Sequence, residues 1–383
     1  MLNWTAVRFS RSTTGRRPRL KLGYFTMPLH PPGRDWRQTL AEDREAILLA
    51  ERLGFEEAFV GEHVTDTAET ITSCLIFIAT LARDTSRIRL GSGTVNLANR
   101  HPAVTAAEIA MVDTLLEGRF ILGVAPGGLR SDAEMMQTLD ADRNAIFVES
   151  VEHMIALWTG EAPYRSFGKR WNLTTERTLI ADLGQGVMLK PFQRPHPPIV
   201  ITAILPDSNG IAAAAARGWT PISANFVHPW VIKTHWPKYV EGCARAAREA
   251  KSEDWRVAKS IFVADDDATV RRMTQTPGNP FAYYFRNLQR KAQSGRGNAF
   301  FKHDPSVSDA ALTDDYLVEQ MLIAGTVDEV VDKLLAFRER VGPFGRLLYV
   351  GHDWAEPGPM RRSMELMAEQ VMPRVNRALA SAR

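Results

Sequence analysis

Residues 88–128, IRLGSGTVNLANRHPAVTAAEIAMVDTLLEGRFILGVAPGG, read as strand, helix, strand. The segment 88–97 is rich in apolar and β-branched residues, and small side chains at its middle let a ligand approach. Over 104–116, Val104, Ala107, Ile109, Met111, Val112, Leu115 and Leu116 suit one helical face. Glu117-Gly118 supplies the stop that a helix C-terminus favours. The run 120–124 is continuously apolar, as expected of a strand buried on both faces. Such a unit is a right-handed βαβ crossover, which builds parallel sheets. Ala125-Pro126-Gly127-Gly128 then places bare backbone where a ligand can sit.

The same rhythm extends both ways. Strands are expected at 22–27, 55–60, 199–203, 221–224, 257–264 and 346–350, and helices at 36–53, 70–82, 145–158, 209–217, 229–250, 328–340 and 359–379. Eight strands alternating with helices predict an α/β fold of the (β/α)8 TIM-barrel type. Two tracts break the pattern. Residues 129–197 and 277–314 read as insertions after strands four and seven, the second aromatic and mobile. Residues 1–20 read as a disordered basic arm, leaving 21–383 as one barrel domain.

Composition narrows the function classes. Of 383 residues, 45% are hydrophobic and 24% charged, and the net charge is +3. The first 21 residues carry six basic side chains and no acid, so the rest of the chain is slightly acidic and offers no basic face to nucleic acid. Two cysteines, Cys74 and Cys243, support neither a disulfide framework nor a zinc site. Nine histidines show no HExxH spacing, and no metal is expected. No apolar run reaches membrane-spanning length and the Arg-rich start lacks a secretory core, so a cytoplasmic protein is expected. Phosphate-loop, dinucleotide-fingerprint and nucleophile-elbow motifs are absent.

In a barrel of this kind the chemistry sits beyond the carboxyl ends of the strands. There the sequence offers Phe25 and Met27 after strand one, Glu62-His63 after strand two, and Gly93, Thr94 and Asn96 with His101 after strand three. Ala125 and Gly127 follow strand four, Ser208-Asn209-Gly210 open the helix after strand five, and Phe262 ends strand seven. His63 is suited to act as a base or a donor. His101 precedes Pro102 at a helix entry, where either a structural or a substrate-facing role is open. The 208–210 turn is either an ordinary N-cap or a phosphate site built on free helix amides.

The motifs VGEHV (60–64), GSGTVNLANRHP (91–102), LEGRFILGVAPGG (116–128), PIVITAILPDSNGIAAAAARGW (198–219) and IAGTVDEVVDKLLAFRERVG (323–342) resemble the bacterial-luciferase-like flavin monooxygenases, nearest the limonene and diketocamphane branch. The resemblance spans roughly residues 20–375. It implies reduced flavin mononucleotide (FMN) at the strand ends, O2 as co-substrate, a small apolar terpene- or ketone-like substrate, and reduced flavin from a separate NAD(P)H:flavin reductase. A homo-oligomer is also implied. His63 matches the active-site histidine of the family. Gly93-Thr94 matches a site that often holds a non-proline cis peptide against the flavin, with Asn96 beside it. Ser208, Asn209 and Gly210 match the phosphate turn. Ala125 and Gly127 complete the expected cofactor contacts, and Phe25, Met27, His101 and Phe262 the expected substrate contacts. Two departures stand out. Ala125 or its neighbour replaces the reactive cysteine of luciferase, and Asp207 stands where relatives commonly have Ser. Aromatics in 277–314 suit a lid over an apolar pocket. A deazaflavin-dependent hydride-transfer enzyme of the same superfamily, or a non-catalytic flavin-binding barrel, are the competing readings.

Overall fold

The computed structural model describes residues 19–295 and 297–381. Eight parallel strands close a ring: β1 (Lys21–Thr26), β2 (Glu57–Val60), β3 (Arg89–Ser92), β4 (Phe120–Ala125), β5 (Ile199–Ala203), β6 (Thr220–Ser223), β7 (Arg256–Ala264) and β8 (Arg346–Val350). Each pairs with the next in chain order, and β8 returns to β1 with Lys21 opposite Arg346. This is the expected TIM barrel. Helices wrap the outside, and Ile47, Ile78, Ile109 and Val330 from four of them are fully buried against the strands. Parallel pairing fixes the outcome that matters here: every strand ends at the same mouth.

The base of the ring holds a buried ion pair. Arg256 donates through Nε and Nη2 to the two carboxylate oxygens of Glu57 at 2.7 and 3.0 Å, and Arg346 lies 3.5 Å from the same carboxylate. Burial raises the Glu57 pKa, but the facing guanidinium groups outweigh it and hold the carboxyl below its ordinary value.

The tertiary structure departs from the sequence reading at several points. Leu20 belongs to the folded body: it is buried, and its backbone N–H and C=O both bond the Asn376 side-chain amide. Residues 1–18 of the expected basic arm lie outside the described residues. The second helix is shorter than 70–82, running Cys74–Ala79 from an N-cap at Ser73. The tract 129–197 holds the helices Arg130–Met135 and Arg143–Thr159 and a hairpin of Arg165–Phe167 with Asn172–Thr174. Trp158 on the longer helix donates to the Ala106 carbonyl of helix Pro102–Leu115, so that helix packs on the barrel wall. An extra strand, Leu322–Thr326, pairs outside the ring with the upper half of β7. Strand β7 is long enough to serve both, since Arg256–Lys259 pairs with β8 and Ser260–Ala264 with the extra strand.

The largest departure lies in 277–314. Instead of a mobile loop, the segment carries a 14-residue helix, Pro280–Gln293. Asn279 caps it by accepting from Phe281 and Ala282 N–H, and Pro280 at its first position needs no partner. Phe281, Tyr284, Phe285 and Leu288 form one buried stripe. That stripe faces the barrel mouth, so the helix is a cover.

Candidate active site

His63 lies just beyond β2 with its side chain 14% exposed. Its Nδ1 is 3.0 Å from Oδ2 of Asp132, on the short helix after β4. Asp132 is itself saturated: Thr65 N–H and Oγ1–H donate to its Oδ1 at 2.8 and 2.6 Å, and Val64 N–H adds a third donor. Burial alone would lift the Asp132 pKa, but His63 and Thr65 pull it down to about 2. The other face of the ring meets Glu69, with Nε2 at 3.5 Å from Oε2. Burial disfavours an imidazolium at His63, yet Glu69 and Asp132 outweigh it and raise its pKa above the ordinary value. The ring is therefore fixed in orientation and disposed to hold a proton.

Glu69 also ties the site to the cover. Lys291 of helix Pro280–Gln293 pairs with Glu69 Oε1 at 2.7 Å and with Asp66. At the other end of the helix, Tyr283 donates to the His30 carbonyl at 3.3 Å. His30 joins the loops after β1 and β8: its Nδ1 meets Asp353 Oδ1 at 2.6 Å and its Nε2 meets Asp43 Oδ2 at 3.3 Å. Burial opposes the charge on His30, but the two carboxylates prevail and lift its pKa to about 9. A group whose folded pKa is raised from about 6.5 lends stability that is complete below that value and lost as pH rises through about 9. Thermal melts of wild type should thus fall by about a few degrees between pH 6 and pH 9.5. In His30→Gln the same pH interval should cost less, and an unchanged pH difference would show that this cluster does not carry it.

The expected cofactor residues gather at the same mouth. The Gly93–Thr94 peptide is cis. A Cβ at Gly93 would lie 2.8 Å from the Phe25 ring, so only glycine allows that ring to sit over the strand end. Asn96 opposes Ala125 in register and donates through Nδ2 to the Glu62 carbonyl at 3.1 Å. Gly127, at φ +94, lies against Asn96 and Asn99, a conformation that favours glycine. Beyond β5, Ser208 is the N-cap of helix Asn209–Ala216 and makes no side-chain cap bond, while Asn209 and Gly210 are exposed. The Ile211 amide is bonded to the Ser208 carbonyl, the amides of Asn209 and Gly210 have no side-chain cap, and Lys238 stands next to them, 2.9 Å from Asn209 Oδ1. Open amides with a cation alongside suit a phosphate. Asp207 is exposed, with φ +51 and its N–H bonded to Thr234. The Gly93–Thr94 end of β3 and the turn after β5 thus stand two strands apart at one opening, an arrangement that would suit the ring and the phosphate of a flavin.

Of the expected substrate residues, Phe25 lies beside Gly93, and Met27 packs on Gly61 after β2. Phe262 is fully buried, its ring 5.7 Å from Phe281 of the cover. His101 does not join them. It is exposed, its Nδ1 accepts from Ala103 N–H, and its ring meets Trp171 edge-on at 4.6 Å. It lines an outer groove of about 820 Å3 with Met111, Leu115, Tyr164 and Met188. The proline after it starts a helix, and the helix entry uses the imidazole as a cap.

The luciferase-like monooxygenase family profile matches residues 20–342. The chain belongs to this family. Among curated members it is 32% identical to a 4-hydroxyprotoasukamycin monooxygenase of Streptomyces nodosus subsp. asukaensis, over 94% of each chain. It is 26% identical to a limonene 1,2-monooxygenase of Rhodococcus erythropolis, over 94% of this chain and 87% of that one. Among solved structures it is similar to the oxygenating constituent of 3,6-diketocamphane monooxygenase of Pseudomonas putida, a type II Baeyer-Villiger monooxygenase in complex with FMN. That match has a TM-score of 0.83 and 25% identity, and it covers 93% of this chain and 98% of the other. This family member adds side chains to the site that motif reading does not reach. Asp132, Glu69 and Lys291 surround His63, and Asn225 and Ser260 join His352, which the end of β8 itself brings to the mouth, in a second buried cluster under the cover.

Proposed function

We propose that this flavin-dependent monooxygenase holds reduced FMN in the barrel mouth and oxygenates a small apolar, terpene- or ketone-like substrate. We further propose that a separate NAD(P)H:flavin reductase delivers the reduced flavin, in the cytoplasm. The observation that carries this reading is His63, clamped by Asp132 at 3.0 Å, at the same opening as the helix start at Ser208–Gly210, which has no side-chain cap. Bound reduced flavin supplies the electrons with which O2 is divided between substrate and water. The chain's own residues do the rest. The turn Ser208-Asn209-Gly210 would hold the phosphate, Gly93, Thr94, Asn96, Ala125 and Gly127 would receive the ring, and Phe25 beside Gly93 would face the substrate. His63 holds a proton at the reacting face. The cover helix keeps water out, and its buried stripe with Phe262 and Met27 presents apolar walls. The name of the FMN-bound relative, an "oxygenating constituent", supports a two-component system.

The test is O2 uptake by the purified chain with added reductase, NADH and FMN, across a panel of cyclic ketones and terpenes. Substrate-dependent uptake with a product heavier by one oxygen atom is expected. Tight deazaflavin binding without FMN binding would favour the hydride-transfer reading, and FMN binding without turnover the non-catalytic one. The exposed apolar residues Val104, Met111 and Leu115 of helix Pro102–Leu115, with Val187 and Leu189 nearby, support self-association of the chain. Light scattering should find a mass above that of one chain.

A further inference from the structure

His63 and the cover helix meet on one carboxylate. Glu69 is 3% exposed, and its two oxygens are held differently. Oε1 takes Lys291 of the cover at 2.7 Å. Oε2 is cut off from solvent, makes no hydrogen bond and lies 3.5 Å from Nε2 of His63. Native interiors seldom leave a buried carboxylate oxygen without a donor. Here the donor stands beside it, slightly too far away, while Lys291 holds the opposite oxygen. The imidazole is oriented for this contact. Asp132, with its pKa near 2, is ionised at neutral pH and lies 3.0 Å from Nδ1, so Nδ1 carries the fixed hydrogen. The proton that comes and goes on His63 is therefore at Nε2, the nitrogen facing Glu69. Burial disfavours an imidazolium there, Glu69 and Asp132 favour it, and the Lys291 ammonium opposes it. Lys291 also pairs with Asp66, so its charge belongs to the seated position of the cover.

We infer that Lys291 gates the proton on His63: with the cover seated its ammonium occupies Glu69 and repels an imidazolium, and with the cover lifted Glu69 turns to Nε2 alone. Phe281 and Phe285 of the cover are fully buried, so the helix has to give way for a ligand to enter the mouth. His63 keeps its proton while the mouth is open to water and yields it more readily once the mouth is sealed. Lys291 is a positioning residue, acting on the imidazole through its charge and through Glu69. The coupling is reciprocal: protonating His63 loosens the cover by the factor by which lifting the cover tightens the proton. Other groups around the cover titrate elsewhere. Burial holds the Tyr284 hydroxyl, near Glu69, far above neutrality, and burial holds His352, against Tyr284, down at about 3. At the far end of the helix, His30 overcomes burial through Asp353 and Asp43 and rises to about 9. The inference rests on His63 as the proton holder of the proposed function.

Two measurements on the full-length chain, with neither flavin nor substrate, test it. Histidine-selective 13C labelling follows the nine imidazoles by NMR, and His63→Gln assigns the His63 signal. Lys291→Met should raise the His63 midpoint by about half a pH unit to one pH unit, as loss of one nearby cation does. Lys291→Arg, which keeps the charge, should leave the midpoint near that of wild type. An unmoved midpoint in Lys291→Met, or an equal rise in Lys291→Arg, overturns the gate. Hydrogen exchange then reports on the cover itself. Protection factors of amides 284–293, from which the intrinsic pH dependence of exchange is removed, should fall about three- to tenfold as pH drops through the wild-type His63 midpoint, the factor that linkage assigns to that rise. In His63→Gln and in Lys291→Met the fall should vanish. Wild-type protection that ignores the midpoint, or a fall that persists in His63→Gln, overturns the coupling. A chain that binds no flavin or oxygenates nothing would count against the proposed function, while both readings of Lys291 would still stand.

Discussion

Replacing His63 with alanine should lower turnover by about 10²- to 10⁴-fold while the chain stays folded, as removal of a positioned acid–base group does. The fold should survive because Asp132 keeps its bonds from Val64 and Thr65 when the imidazole is gone. The measurement is kcat with an added flavin reductase, alongside circular dichroism and a thermal melt. Full activity in His63→Ala would remove the residue from the mechanism. A second variant separates proton holding from packing. Glu69 raises the His63 pKa, so Glu69→Gln should lower it and shift the alkaline limb of the rate profile toward lower pH. An unmoved limb in Glu69→Gln would mean that another group governs the profile.

At the base of the barrel, Arg256→Ala should cost about 3–5 kcal/mol of stability, because it leaves the Glu57 carboxylate buried with a weakened set of partners. Arg256 also donates to Thr220 Oγ1 at 3.0 Å and lies 5.6 Å from the Phe59 ring centroid, so the loss includes packing. Urea denaturation with an unchanged slope would report it directly. Glu57 has its pKa lowered on folding, so the pair lends stability above the ordinary carboxylate range that is lost as pH falls. The gap between wild type and Arg256→Ala should accordingly narrow in acid. The double variant Glu57→Leu/Arg256→Leu should lie well above Arg256→Ala in stability, since the buried carboxylate goes with its guanidinium and Arg346 keeps Glu56 as a partner. A double variant as unstable as the single would assign the effect to shape alone.

How much of this was open to reading before the fold was known depends on distance along the chain. His63, Thr94 and Ser208 could be assigned to one opening because alternation of strands and helices forces parallel strands, and parallel strands end together. The His63 partners could not. Asp132 lies 69 residues from His63, Lys291 lies 222 residues from Glu69, and Ser260 lies 92 from His352. No local pattern marks such pairs, because each arises where two loops or strands from different crossovers meet. His101 shows the converse, since a histidine before a helix proline reads equally as site or cap, and only packing against Trp171 turned it outward.

The cover helix stands between these cases. Its Asn-Pro start and the spacing of Phe281, Tyr284, Phe285 and Leu288 were present in the residues, but the break in the strand–helix alternation suggested a mobile insertion. An amphipathic helix shows which positions are apolar and not what they will cover. The amino-acid order by itself determined a ring of eight parallel strands and which loops meet at its mouth, because side-chain periodicity and crossover handedness are local rules. Tertiary structure alone decided which acids clamp His63 and where the cover seats, because those depend on burial, and burial exists only once distant segments pack.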